Sequence, residues 1–426
     1  MLNANKALFS LANFLIIILP VSLVSGPFLS DLSVVLLDLI FLYILIIKKN
    51  WKILNKVEFK YLILFCIFIS TRSLFTKDIP FSLWSSITYC RFIIFIFAIN
   101  FFLSKSNSLL ENFTKSLCWA FAIVTADGYF QYFTGHNIFW VPLENKDKLN
   151  IFIRNEAIIG SYLIRLLPLL VAMLIIRINF KKNYWLISFF LFSILLLIFF
   201  SGSRSSFFMS ILFLLFLFFY LKEIRKYLVF IIILSIIILS FLFTYNEKIR
   251  YSVNLSLVNP INTIFKVSNK QMEELKIKNS IIIFTPVYNS HYITAYKMFS
   301  DNKLFGQGTN MYRKICSDEK FITNEFSCTT HPHNFYIQLL AENGIIGFAM
   351  IFLIFIIIIL KLFQNHLKIE SSKKSKKFLL ANHFILFGIF LNLWPVIPTG
   401  NFFGGLLSIL IYLPVGFYLY LNNKKK

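Results

Sequence analysis

The sequence predicts an all-α integral membrane protein, with about 12 transmembrane helices and one large, partly helical loop on the side away from the cytoplasm. Three observations carry this. Of 426 residues, 58% are hydrophobic and 14% charged, against about 45–50% and about 25% in soluble globular chains. The mean hydropathy is +0.74. The apolar residues gather into runs close to the ~20 that a helix needs to cross hydrocarbon, and the connectors between the runs are rich in lysine. Composition thus excludes a soluble enzyme and a disordered chain. The net charge of +23 does not indicate nucleic acid, because no basic and aromatic soluble module accompanies it.

Twelve stretches satisfy the length criterion, near 7–24, 28–47, 59–75, 81–103, 114–133, 157–176, 184–200, 205–221, 227–244, 344–362, 378–397 and 402–421. The first lacks a small-residue cleavage site and reads as a retained helix rather than a removed signal peptide. Alternate connectors carry most of the basic residues. One set holds Lys48, Lys49, Lys52, Lys56 and Lys60, then Lys105 and Lys115, then Arg177, Lys181 and Lys182. It continues with Lys222, Arg225 and Lys226, the lysines of 361–377, and the tail Lys424–Lys426. The opposite set holds only Lys77, Lys146, Lys148, Arg154 and Arg204. The positive-inside rule therefore places both termini in the cytoplasm.

Residues 245–343 break the pattern, as a long outer loop between helices 1–9 (1–244) and helices 10–12 (344–426). A long loop without repeats in a compact protein is usually functional. The chain shows no internal repeat of the kind found in many transporters.

Charges within a span are costly and call for a reason. Arg91 lies roughly 15 Å and Arg165 roughly 12 Å from the outer end of their helices, at 1.5 Å per residue. Arg72 sits near an outer helix end, and Arg204 lies in the turn Ser201-Gly202-Ser203-Arg204-Ser205-Ser206. One reading pairs these arginines with buried acids, Asp38 for Arg91 and Asp127 elsewhere. The other is functional: guanidinium forks bind phosphate oxygens bidentately, and small residues around Arg204 let backbone N–H groups approach an anion.

The sharpest local feature is His331-Pro332-His333-Asn334-Phe335-Tyr336, running into Gln338, Glu342, Asn343, Gly344 and Gly347. Asn334 reads as an N-cap and Gly344 as a helix stop, predicting a short helix over 335–343. His333 then stands at a helix entrance, where a histidine can take a proton from a hydroxyl near neutral pH. The alternatives are a structural histidine or a metal site shared with His331, for which no acidic ligand pattern is present. Cys66, Cys90 and Cys118 fall inside spans and read as packing residues. Cys316 and Cys328 lie in the outer loop and are expected to pair in an oxidising compartment, at a gain of roughly 3 kcal/mol. Two free thiols are the alternative.

The stretch 330–347 closely resembles the signature of the O-antigen ligase and polymerase family. Ala295-Tyr296-Lys297-Met298-Phe299 through Gly306-Gln307-Gly308-Thr309-Asn310 is similar to that family's second landmark, and Ser201–Ser206 to its Ser-Arg motif. The resemblance implies a multi-pass glycosyltransferase of the bacterial inner membrane, with its active site facing the periplasm. It would move a glycan from undecaprenyl pyrophosphate to an acceptor sugar hydroxyl, on lipid A–core or a growing glycan, with no metal and no cofactor. Arg204 would bind the pyrophosphate and His333 would act as general base or position the acceptor. Members often carry an arginine ahead of the second landmark. Here His291 and Arg313 stand nearby instead, and Arg154 or Arg165 is a further source of that charge.

The chemistry follows from the leaving group. Negative charge grows on the glycosidic oxygen, Arg204 and Arg165 stabilise it, and His333 takes the acceptor proton from the opposite face. A ligase and a polymerase share these groups and differ in acceptor. A transporter or flippase of lipid-linked sugars is the reading from another class. It needs polar residues along the whole path, and the inner half offers only Asn100 and His383.

Overall fold

The computed structural model describes residues 2–49, 56–106, 108–143, 148–150, 158–177, 184–245, 250, 254, 286–371 and 377–424. Arg154, Lys146 and the loop segment 255–285 lie outside them.

Each of the twelve predicted stretches contains a helix, but the eleventh, predicted over 378–397, ends at Asn392, where 393–401 turn instead, and the twelfth starts at Gly405 rather than at 402. They form α1 (Leu2–Ser25), α2 (Pro27–Ile47), α3 (Val57–Ser73), α4 (Ile79–Lys105), α5 (Leu109–Thr134), α6 (Ile159–Arg177), α7 (Tyr184–Phe200), α8 (Arg204–Tyr220) and α9 (Arg225–Tyr245). The segment between α9 and α12 adds α10 (Pro286–Asp301) and a single turn, α11 (Tyr312–Ile315), before α12 (Phe335–Ser371), α13 (Lys377–Asn392) and α14 (Gly405–Lys424). No strand is present among the described residues. Six helices are long and apolar enough to cross a membrane: α1 from Lys6, α2, α4, α6, α12 and α14. A seventh span arises if α8 and the helix after it, bent by 102°, count as one. The remaining helices fall short for physical reasons. α7 and α13 are apolar but short, while α3 and α5 carry charges such as Glu58, Lys60, Arg72, Glu111, Lys115 and Asp127. The chain is a multi-pass helical membrane protein.

α6 is the buried centre, enclosed along Ile159–Ile175 apart from Ser161 and packed against α5, α7, α8, α13 and α14. A helix apolar on every face has no side suited to water. A second, smaller core joins Ala295 and Met298 of α10 to Met311, Tyr312, Ile315, Cys316 and Phe321, with Ala341 of α12. Cys316 and Cys328 are bonded in the structure, their Cα atoms 5.2 Å apart. So are Cys66 and Cys90, at 5.8 Å, which corrects their reading as separate packing residues. They meet because α3 and α4 are antiparallel neighbours, a register that hydropathy does not reveal. Cys118 is free.

The 286–334 segment is held to one end of the bundle by its backbone. α12 breaks at Gly344, whose φ of 63° ends the 335–343 turn as predicted, before the long apolar run starts. Gly306 (φ 67°) crosses it closely: Gln307 N donates to Ala341 O (2.9 Å), Gly308 N to Glu342 O (2.7 Å) and Ile345 N to Lys303 O (2.9 Å). Arg72 donates to Gly306 O (2.6 Å from Nη2) and Phe75 O (2.6 Å), so it is a clamp on this crossing. Ser82 donates to Thr309 O (3.0 Å), and Lys77 and Lys314 pair with Asp318 and Asp78.

Candidate active site

Three histidines meet where α10, the 330–334 segment and the α13–α14 turn converge. The His333 ring lies 4.3 Å from His331 and 5.4 Å from His291, with Tyr288 at 4.9 Å. The scaffold under them comes from the motif itself. Asn334 Oδ1 accepts from the N–H groups of Tyr336 (3.0 Å) and Ile337 (3.1 Å), the cap that the sequence predicts. Its Nδ2 donates to Pro395 O at 2.8 Å, so the side chain is committed to the fold. Thr399 N donates to His333 O at 2.8 Å, which holds His333 at a φ of 58°.

His331 is held through both ring nitrogens. Nε2 donates to Thr399 O (3.3 Å), and Nδ1 lies 2.8 Å from the Thr330 hydroxyl, which must then donate to it. That bond pattern fixes the tautomer. His333 differs: its ring makes no hydrogen bond with the described residues. His291 is buried, and its Nδ1 has no hydrogen-bond partner among the described residues.

Burial lowers the pKa of all three below the ordinary 6.5. His291 falls to about 4 and His331 to about 3, with the His333 neighbour adding to the effect in both. His333 is lowered by burial and then by the Lys148 charge. The cluster is therefore neutral at pH 7. An unfolded chain takes up protons near 6.5 while the folded one resists. The stability that these groups contribute is thus whole above pH 6.5 and is lost as pH falls through their folded values; for His291 alone the fall from 6.5 to about 4 is worth on the order of 3 kcal/mol. The Tm of the purified protein should be flat near pH 7–8 and drop below 6.5, and His291→Gln should shallow that drop. An unchanged Tm down to pH 4.5 would contradict it.

Cations surround this neutral centre. Arg204, at the start of α8, is exposed and makes no hydrogen bond or ion pair among the described residues. Its charge reaches the Tyr288 phenol, lowering a pKa that burial raises. Arg313 is exposed and acts on His331. Lys148 and Tyr288 are additions that the sequence did not single out. Their signal was weak, a lysine in a short connector and a tyrosine one turn before His291. No group of three or more His, Cys, Asp or Glu able to hold a metal occurs among the described residues.

The other arginines lie elsewhere. Arg91 pairs with Asp31 at 2.9 Å, not with Asp38, one helical face but two turns away. Arg165 is buried in α6, donating to Ser161 Oγ (3.0 Å) and Asn392 Oδ1 (2.6 Å). Asp127 pairs with no arginine among the described residues and accepts from Ile138 N at 2.7 Å. Gln338, Glu342 and Asn343 form the frame. Glu342 accepts from Asn310 N, Tyr312 N and Gln338, and Gln338 also donates to Asn401 Oδ1 at 2.7 Å. Below Arg204, Phe207, Ile211 and Leu214 lie on the same helix face and line a groove of about 590 Å³ with Leu195 and Phe199 of α7 and Ile232 and Phe243 of α9.

Neutral imidazoles, cations without ion pairs among the described residues and an apolar groove thus lie at one end of a helical membrane protein. Residues 187–352 match the O-antigen ligase family model (Wzy_C), so the resemblance holds over a stretch that contains the Ser-Arg, Gly-rich and His motifs. No curated protein matches the chain.

Proposed function

We propose that the protein transfers a glycan from a polyprenyl pyrophosphate to a sugar hydroxyl, as an O-antigen ligase. The observation that supports this reading is the neutral His333 ring, without a hydrogen bond among the described residues, beside cations that have no acidic partner among them. Arg204, with Lys148 and Arg313, binds the pyrophosphate, and the groove below Arg204 receives the polyprenyl chain. The acceptor oxygen attacks the anomeric carbon as its proton passes to His333. The bond to the pyrophosphate oxygen breaks, and its electron pair stays with the departing lipid diphosphate. The cations stabilise that charge where water is partly excluded. Inversion at the anomeric carbon follows from attack opposite the leaving group. The chain spans the inner membrane twelve times, with both termini cytoplasmic and this site in the periplasm. Buried Arg165 and half-buried Arg91 support the fold instead of contacting the donor.

Two experiments test this. In reconstituted protein, Arg204→Ala should lower turnover on a lipid-linked glycan by about 100- to 1,000-fold, and Arg204→Lys should recover only part because it lacks the fork. A wild-type rate in the alanine variant would refute the assignment. Deleting the gene should abolish ligated surface polysaccharide and leave glycan on the carrier. A single repeat unit on core would identify a polymerase instead, and unchanged polysaccharide with lost solute uptake a transporter.

A further inference from the structure

The turn that follows α5 carries exposed apolar side chains on an unusually well-bonded backbone. α5 stops at Gly135 (φ 81°), and a hairpin closes through the His136–Pro142 bridge. Asn137 Oδ1 accepts from Phe139 N (2.9 Å) and Val141 N (3.0 Å), Trp140 N donates to Asn137 O (2.9 Å), and Ile138 N donates to Asp127. This rigid loop turns Ile138, Phe139, Trp140 and Val141 outwards, each between 41% and 72% exposed. Trp140 is the most exposed of the four and sits at a φ of 60°. A bulky residue held there costs on the order of 1–3 kcal/mol, and Trp140, though it touches Phe130 and His136, stays 72% exposed.

We propose that the 135–143 hairpin is an interfacial anchor whose tip is immersed in the headgroup region of the lipid bilayer. Two observations favour lipid over a protein partner. The tip continues the exposed face of α5, where Phe130 and Phe133 are uncovered and the Trp140 ring packs edge-on to Phe130 at 6.4 Å. Its composition, with tryptophan beside phenylalanine at a helix end, is that of the aromatic belt at a membrane surface. The anchor is wired inwards by hydrogen bonds. Asp127 also accepts from Gln131, Gln131 exchanges hydrogen bonds with the Asn150 backbone (2.9 and 3.0 Å), and Leu149 N donates to Ser201 O (3.3 Å). Lys148 adjoins that pair.

The test uses the full chain in nanodiscs, comparing wild type with Trp140→Phe so that the difference in emission reports Trp140 alone. Lipids brominated near the headgroup should quench this component, and aqueous iodide should quench it little. Strong quenching by iodide with none by brominated lipid would place the tip in water and overturn the proposal. Quenching by neither would mean that protein covers it, which overturns the proposal equally.

Discussion

If the proposed transfer runs through His333, His333→Ala should lower it by about 100- to 10,000-fold, the usual cost of losing a positioned general base, while the protein should still insert and purify. The basis is the division of labour within the cluster. His331 spends both ring nitrogens on Thr330 and Thr399, and His291 is buried. Of the three rings, only that of His333 makes no hydrogen bond with the described residues: Thr399 holds this residue by its backbone carbonyl, whereas the His291 ring bonds to the Phe326 backbone. Alanine at φ 58° adds backbone strain of about 1–2 kcal/mol. His333→Asn separates the two effects, since asparagine tolerates that conformation and offers no base at neutral pH. Both variants should be equally inactive in reconstituted membranes, and activity near wild type in the asparagine variant would remove His333 from the reaction. The pH profile gives an independent reading. With its pKa held below 6.5 by burial and by Lys148, kcat/KM should be flat above pH 6.5 and fall only on the acid side. Lys148→Gln removes a cation, raises that pKa and should move the acid limb upward.

Gly344→Ala should cost more than about 3 kcal/mol, among the largest effects of a single methyl group. An added Cβ would stand 2.3 Å from Leu304 O and 2.6 Å from Phe305 N, both rigid backbone atoms, at a φ of +63°. Gly306→Ala should behave alike, meeting Glu342 C at 2.4 Å and Asn343 N at 2.5 Å. Gly135→Ala is the control: it has positive φ but nothing within 4 Å, so strain alone applies, about 1–2 kcal/mol. Tm and folded yield in detergent measure all three. If Gly344→Ala is as mild as Gly135→Ala, the two segments do not touch as described.

The sequence revealed what is local. Hydropathy located every long helix, because burial in lipid or core demands an unbroken apolar run. The Asn334 cap and the Gly344 stop were visible because each acts on the next few residues. Pairing between helices was not visible, since it depends on how each helix is rotated. Arg91 thus met Asp31 rather than Asp38, both on one face of α2. The turn over 393–401 also escaped notice. Its Pro395, Pro398 and Gly400 signal rigidity, but nothing in them names the histidines that they support. Arg204 and His333 were legible as residues, and their shared neighbour Tyr288 was not.

The crossing of 303–308 over 341–346 has a practical meaning for anyone grafting parts between related proteins. A chimera that exchanges only 286–334 would divide the two strands of this joint between parents. A graft running through Gly347 would carry the joint whole, together with both landmarks, and is the unit that evolution or an engineer can move intact.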